Sequence, residues 1–109
     1  MTIKHLNDIS AIPTSHGCGE KRVLASNEET VSAITQIAET VLHKGETAEA
    51  HTHETMEEFF YILDGEVKFL TLSGNVVCRK GDFVLLKPNE LHGLVALSDT
   101  EMLSIGCAI

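Results

Sequence analysis

The stretch that decides the reading is residues 45–65, GETAEAHTHETMEEFFYILDG. It carries two histidines two apart, His51 and His53, then the acidic pair Glu57 and Glu58, and it closes on Asp64-Gly65. On a strand, side chains at i and i+2 point to one face, which sets the two Cβ atoms roughly 6.6 Å apart. Two imidazoles at that spacing can converge on one ion, with metal–nitrogen bonds of about 2.0–2.2 Å. A third and a fourth ligand complete such a centre, and the chain offers Glu57 or Glu58 close by and His92 further on.

Outward from this stretch, short runs rich in Val, Ile, Phe, Leu and Thr alternate with turn signals, a pattern of strands. Strands are expected at Thr30–Leu42, Glu58–Leu63, Glu66–Leu72, Val76–Arg79, Phe83–Lys87, His92–Leu97 and Glu101–Cys107. Asp64-Gly65 suits a two-residue hairpin turn joining the second of these to the third. Pro88 stops the fifth, because proline cannot donate to a ladder. Residues 1–25 are expected to give edge strands, at Leu6–Ile9 and Arg22–Leu24, and a loop around His16-Gly17-Cys18-Gly19. The best helix candidate, Ser26–Thr30, is very short. Many short strands with regular turns predict an all-β sandwich or barrel in one domain spanning residues 1–109.

Composition narrows the function. The 109 residues carry a formal charge of −8. Such a surface repels phosphate backbones, so nucleic acid is not an expected partner. No apolar run approaches the roughly 20 residues that span a bilayer, and the N-terminus lacks the apolar stretch of a secretory signal. Three cysteines, Cys18, Cys78 and Cys107, give an odd, widely spaced set. This fits a reducing compartment and predicts a cytoplasmic protein. Cys78 and Cys107 read as small core residues. Cys18 reads as a loop residue, with a reactive thiol at a barrel mouth as the sharper alternative. His5, His16 and His43 read as ordinary surface or core histidines.

Residues 45–65 resemble the first motif of the cupin superfamily, with Gly45, His51, His53, Glu58 and Gly65 in the motif's places. Residues 81–92 (GDFVLLKPNELH) resemble the second motif, in which Gly-Asp opens a strand and a proline-containing turn precedes a histidine; that motif extends to residue 96. The short spacer between them is similar to that of compact, single-domain microbial cupins. Lys87 stands where the family usually has proline, Asn89 replaces a turn glycine, and Ala96 replaces a frequent asparagine. Asn tolerates the left-handed region, so the turn is expected to survive.

The resemblance implies a double-stranded β-helix (jelly-roll barrel) holding one divalent transition-metal ion on His51, His53, Glu58 and His92. Mn, Fe, Co, Ni, Cu and Zn all suit such ligands. Counting back from Gly65 selects Glu58 over Glu57. Glu58, Phe60 and Ile62 then face inward, and the chain must break register across Glu54–Glu57. Glu58 is also the expected catalytic residue, as ligand or as base.

Gln36, Phe60 and Phe69 are expected to contact substrate, with Thr35 as the alternative to Gln36. Phe59 and Tyr61 are read as core or dimer contacts. The implied activity is that of a metal-dependent enzyme on a small polar metabolite (sugar, keto acid or phenol), by isomerase or lyase chemistry or by O₂-dependent dioxygenase chemistry. A non-catalytic sensor or sugar-binding module is the alternative. A homodimer formed through the N-terminal strands is the expected assembly.

Overall fold

The structure, a computed structural model, describes residues 1–109. Ten strands follow in order: β1 (Ile12–Pro13), β2 (Glu20–Ser26), β3 (Ile34–Leu42), β4 (Thr47–His51), β5 (Met56–Asp64), β6 (Glu66–Thr71), β7 (Gly74–Arg79), β8 (Phe83–Leu86), β9 (His92–Ala96) and β10 (Thr100–Ala108). They form a six-stranded sheet in the order β1-β2-β3-β10-β5-β8 and a four-stranded sheet in the order β4-β9-β6-β7. Every pairing is antiparallel. The all-β, double-stranded β-helix expected from the sequence is the fold observed.

Alternation along the strands builds the core. On β5, Phe60 and Ile62 are buried while Tyr61 and Leu63 are exposed; on β6, Val67 and Phe69 are buried. With Leu42, Leu86, Ala96 and Met102 they fill the space between the sheets. Each large side chain so buried contributes roughly 1.5–3 kcal/mol. The opposite faces of β5 and β8 carry an exposed apolar row. Tyr61 lies in register with Phe83, and Phe59 with Leu85; Phe83 is 61% exposed.

The expected hairpin between Glu58–Leu63 and Glu66–Leu72 does not exist. β5 pairs with β10 and β8, and β6 pairs with β7 and β9, so Asp64-Gly65 is the corner at which the chain changes sheets. Gly65 has φ +90°, and a Cβ there would lie 2.3 Å from the Asp99 carbonyl oxygen and 2.7 Å from the Thr100 Cα. The chain passes so close because buried Thr100 ties the corner. Its hydroxyl accepts from the Glu66 N–H at 3.2 Å and donates to the Ser98 carbonyl at 2.9 Å.

Other boundaries shift for local reasons. β3 starts at Ile34 rather than Thr30, because the Thr30 and Ser32 hydroxyls bond each other and nearby backbone N–H groups, an alternative to the ladder. Ser26–Thr30 yields a single 3-10 turn, Asn27–Glu29, closed by a Ser26/Glu29 capping box. Leu6–Asp8 is a 3-10 turn, not an edge strand. Arg22–Leu24 belongs to β2, which lies inside the sheet between β1 and β3. All three cysteines are free; Cys78 is buried, but Cys107 is only partly so, beside the bulge at Gly106/Cys107. No helix is long and apolar enough to cross a membrane.

Gly65→Ala combines a left-handed backbone with a clash against main chain. It should destabilise the fold by about 3 kcal/mol, read as a lowered urea midpoint at unchanged slope. A midpoint equal to that of the unsubstituted protein would contradict the tight corner.

Candidate metal centre

His51 ends β4 and His92 opens β9, and the two residues face each other directly across the β4–β9 ladder. Each ring is fixed by the same device. Nδ1–H of His51 donates to the Glu49 carbonyl at 2.7 Å, and Nδ1–H of His92 donates to the Glu90 carbonyl at 2.8 Å. A carbonyl can only accept, so the proton of each neutral ring sits on Nδ1 and the lone pair of Nε2 is free. Such outer bonds commonly orient metal-binding histidines.

His53 lies beyond the end of β4, in the link 52–55, and not on the strand with His51. The expected register break thus begins two residues earlier than Glu54, at Thr52. The second motif holds this link in place. The Asn89 N–H donates to the His53 carbonyl at 2.7 Å, and Asn89 is the only non-glycine residue at positive φ, +66°. The turn that lost its glycine therefore keeps the same left-handed geometry.

Glu58 reaches the group from the other sheet, on the inward face of β5 with Phe60 and Ile62. Glu57 alternates to the opposite face. One donor atom from each of His51, His53, Glu58 and His92 lies within 4.8 Å of the others. Ring centroids are 4.4 Å apart for His51–His92 and 4.9 Å for His51–His53. His53 Nε2 and Glu58 Oε1 are in contact, yet both are buried without a hydrogen-bond partner. Unpaired buried polar atoms are costly, and a cation between them would satisfy both. Three imidazole nitrogens and one carboxylate oxygen suit a divalent transition ion, so this group could hold one.

The electrostatics are those of a site short of one positive charge. Burial pushes the Glu58 carboxyl up, but His92, His53 and His16 outweigh it and hold the carboxyl below its ordinary value. Burial lowers His92, while Glu58 and the Glu90 carbonyl reverse this and raise it. Burial lowers His53, helped by its neighbouring imidazoles. Glu58 and His92 thus each favour the charged form of the other.

The group opens into a cavity of about 160 Å³. Gln36 and Phe60 line it, as expected, while Thr35 does not. Phe69 does not line it either. It sits behind Phe60, with ring centroids 5.7 Å apart and 2% exposure, so its place is in the core and not on the substrate side.

The N-terminal segment adds His16 and Lys21, which the sequence reading did not place in the lining, and Cys18, for which a place at the barrel mouth was the alternative. His16 is exposed, as expected, but it also lines the cavity mouth. Its ring stacks on His51 at 4.0 Å. Cys18 is buried beside it, and burial and Glu46 push its thiol up, away from a reactive thiolate. Gly19 lets this loop in. At φ +70°, a Cβ there would lie 2.5 Å from the Val41 carbonyl oxygen, and its N–H donates to the Glu46 carboxylate at 2.9 Å. The two glycines of HGCG were the sequence signal for a tight approach. His5 and His43 are exposed, as expected.

A cupin domain family model matches residues 38–106. No curated protein matches the chain in sequence. Among solved structures, the chain is similar to a predicted oxalate decarboxylase from Thermotoga maritima, at 24% identity and TM-score 0.88, covering 99% of this chain and 100% of that one. It is similar to ectoine synthase from P. lautus, at 23% identity and TM-score 0.84, covering 99% and 78%. It is also similar to an RmlC-like cupin from Shewanella frigidimarina, at 16% identity and TM-score 0.83, covering 100% and 92%. At these identities the likeness shows the fold.

The charge arrangement is testable in chelator-treated protein. His92 binds its proton more tightly in the folded chain than in the unfolded one. The resulting stability is fully present below the ordinary histidine value of 6.5 and is lost as pH rises through the raised folded value. Imidazole NMR titration should show His92 titrating above 6.5, and Glu58→Gln should remove the elevation. An unchanged His92 titration in that variant would contradict the pairing.

Proposed function

Since the chain belongs to the cupin domain family, we propose that His51, His53, His92 and Glu58 hold one divalent transition-metal ion and that the protein is a metal-dependent enzyme acting on a small polar metabolite. One observation carries this reading: four donor atoms, from β4, β5, β9 and the link after β4, converge beside a cavity, and two of the imidazoles have their Nε2 atoms freed by backbone bonds at Nδ1. The bound ion would polarise a carbonyl or hydroxyl oxygen and lower the pKa of a coordinated water.

The chain's own residues supply the rest. Phe60, Leu42 and Met102 give the cavity apolar walls that exclude water. His16 and Lys21 bring proton-carrying groups to the same space, which favours isomerase- or lyase-type acid–base chemistry over O₂-dependent cleavage. Glu58, as a ligand, fixes the ion against the β5 side of the barrel; released from it, its carboxylate is placed to take a proton. The free thiols support a reducing, cytoplasmic setting. Gln36 and Phe60 are the residues we assign to substrate contact. The expected homodimer is retained, with its contact placed on the exposed apolar row Tyr61, Leu63, Phe83 and Leu85 rather than on the N-terminal strands; its test is a dimer mass by light scattering, and a monomer mass ends it.

The reading predicts one metal ion per chain by elemental analysis. Its removal should lower the melting temperature, because a ligand of the folded state alone stabilises that state. His51→Ala/His53→Ala should lose stoichiometric metal while keeping a β-rich circular dichroism spectrum. A double variant still holding one ion per chain would overturn the ligand assignment. Turnover unaffected by removal of O₂ is the expected signature of the acid–base class, and a ligand recovered unchanged would instead mark a non-catalytic binding module.

A further inference from the structure

Neighbouring residues on β2 face in opposite directions and meet opposite circumstances. Arg22 lies opposite Glu39 in the β2–β3 ladder, and its guanidinium is 3.6 Å from the Glu39 carboxylate. Lys21 lies opposite Thr40 and lines the cavity. Its ammonium donates to Gln36 Oε1 at 2.9 Å and forms no ion pair with any carboxylate. An ammonium has three protons to donate, so two remain for another acceptor. The Gln36 amide, its oxygen engaged by Lys21, keeps its NH₂ as a further donor.

The surrounding charge makes this selective. The chain carries 16 acidic residues, yet Glu58 is the only one that lines the cavity. Lys21 is the only lysine or arginine in the lining, and with no carboxylate paired to it, it is the cation to which an anion entering the cavity is drawn. The cavity, of about 160 Å³, has room for a small organic acid. The hydroxyls of Thr40 and Ser104, 3.0 Å apart, add neutral polar contacts in the same lining.

We propose that Lys21, with Gln36, is the carboxylate-binding subsite of this cavity, and that the substrate class is a small hydroxy or oxo acid carrying one carboxylate. The assignment of its second oxygen to the four-ligand centre rests on the metal reading above; the carboxylate subsite does not. The test is isothermal titration of pyruvate and lactate against their neutral amides, pyruvamide and lactamide, into both the metal-loaded and the chelator-treated protein. The acids should bind at least tenfold more tightly than the amides. Lys21→Met should abolish that preference while leaving metal content and melting temperature unchanged, and Lys21→Arg should retain it. Wild-type protein that shows no preference for acid over amide overturns the proposal, as does a preference that survives in Lys21→Met. Failure of the metal reading shows separately, as absent stoichiometric metal in the loaded protein. The acid preference of the chelated protein, and its loss in Lys21→Met, still decide the subsite in that case.

Discussion

The site depends on one cross-strand pair. His51 and His92 oppose each other in the β4–β9 ladder, so the backbone hydrogen bonds of a sheet set the distance between two imidazoles. Each ring is then locked by a carbonyl two residues back in its own chain. Nothing in this arrangement requires a long-lived side-chain network, because the strand pairing and two short backbone contacts define both donors. His53 and Glu58 are added from less regular places, the link after β4 and the facing sheet. The contact between two orphaned polar atoms, His53 Nε2 and Glu58 Oε1, is the energetic consequence. The fold brings these atoms together without giving either a hydrogen-bond partner.

Much of this was legible in the sequence because the relevant signals are local. Histidines two apart, a carboxylate at a fixed distance from a glycine, and an asparagine able to take positive φ are each readable within a few residues. Parity along β5 placed Glu58, Phe60 and Ile62 on one face, and the burial of Phe60 and Ile62 follows it. Local signals fail where the partner is distant. Asp64-Gly65 has the chemistry of a hairpin turn, yet Gly65 is required by the approach of Asp99 and Thr100, far along the chain. Phe69 has the composition of a pocket residue, but one layer of packing, Phe60, separates it from the cavity. A window around Thr30 is rich in β-branched residues, but hydroxyl-to-backbone bonds there outcompete the ladder.

The least legible part of the chain contributes chemistry to the cavity. Within the first 25 residues, periodicity is weak and strands are short, so sequence reasoning assigned edge strands and a loop. In the structure this segment supplies His16, Cys18 and Lys21 to the lining. Its placement comes from contacts that no local pattern encodes: Gly19 against the Val41 carbonyl, and the Glu46 carboxylate accepting from the N–H groups of both Gly19 and His43. Glu46 directly follows Gly45, the first glycine of the motif, so the residue next to that turn anchors the loop beside the metal ligands.

This division separates two kinds of constraint. The backbone contacts that position the ligand set, the β4–β9 pairing and the Asn89 bond to the His53 carbonyl, come from the two motifs, while His16 of the N-terminal loop adds a ring stacked on His51. The proposed selectivity would lie in the loop and β2, where a lysine lines the cavity without a carboxylate partner while its neighbouring arginine pairs with Glu39. A barrel organised this way can keep its centre and exchange its substrate by altering a few residues before β3. In the proposed reading the four ligands hold the ion, and the residues that close over them set the charge of the molecule it meets.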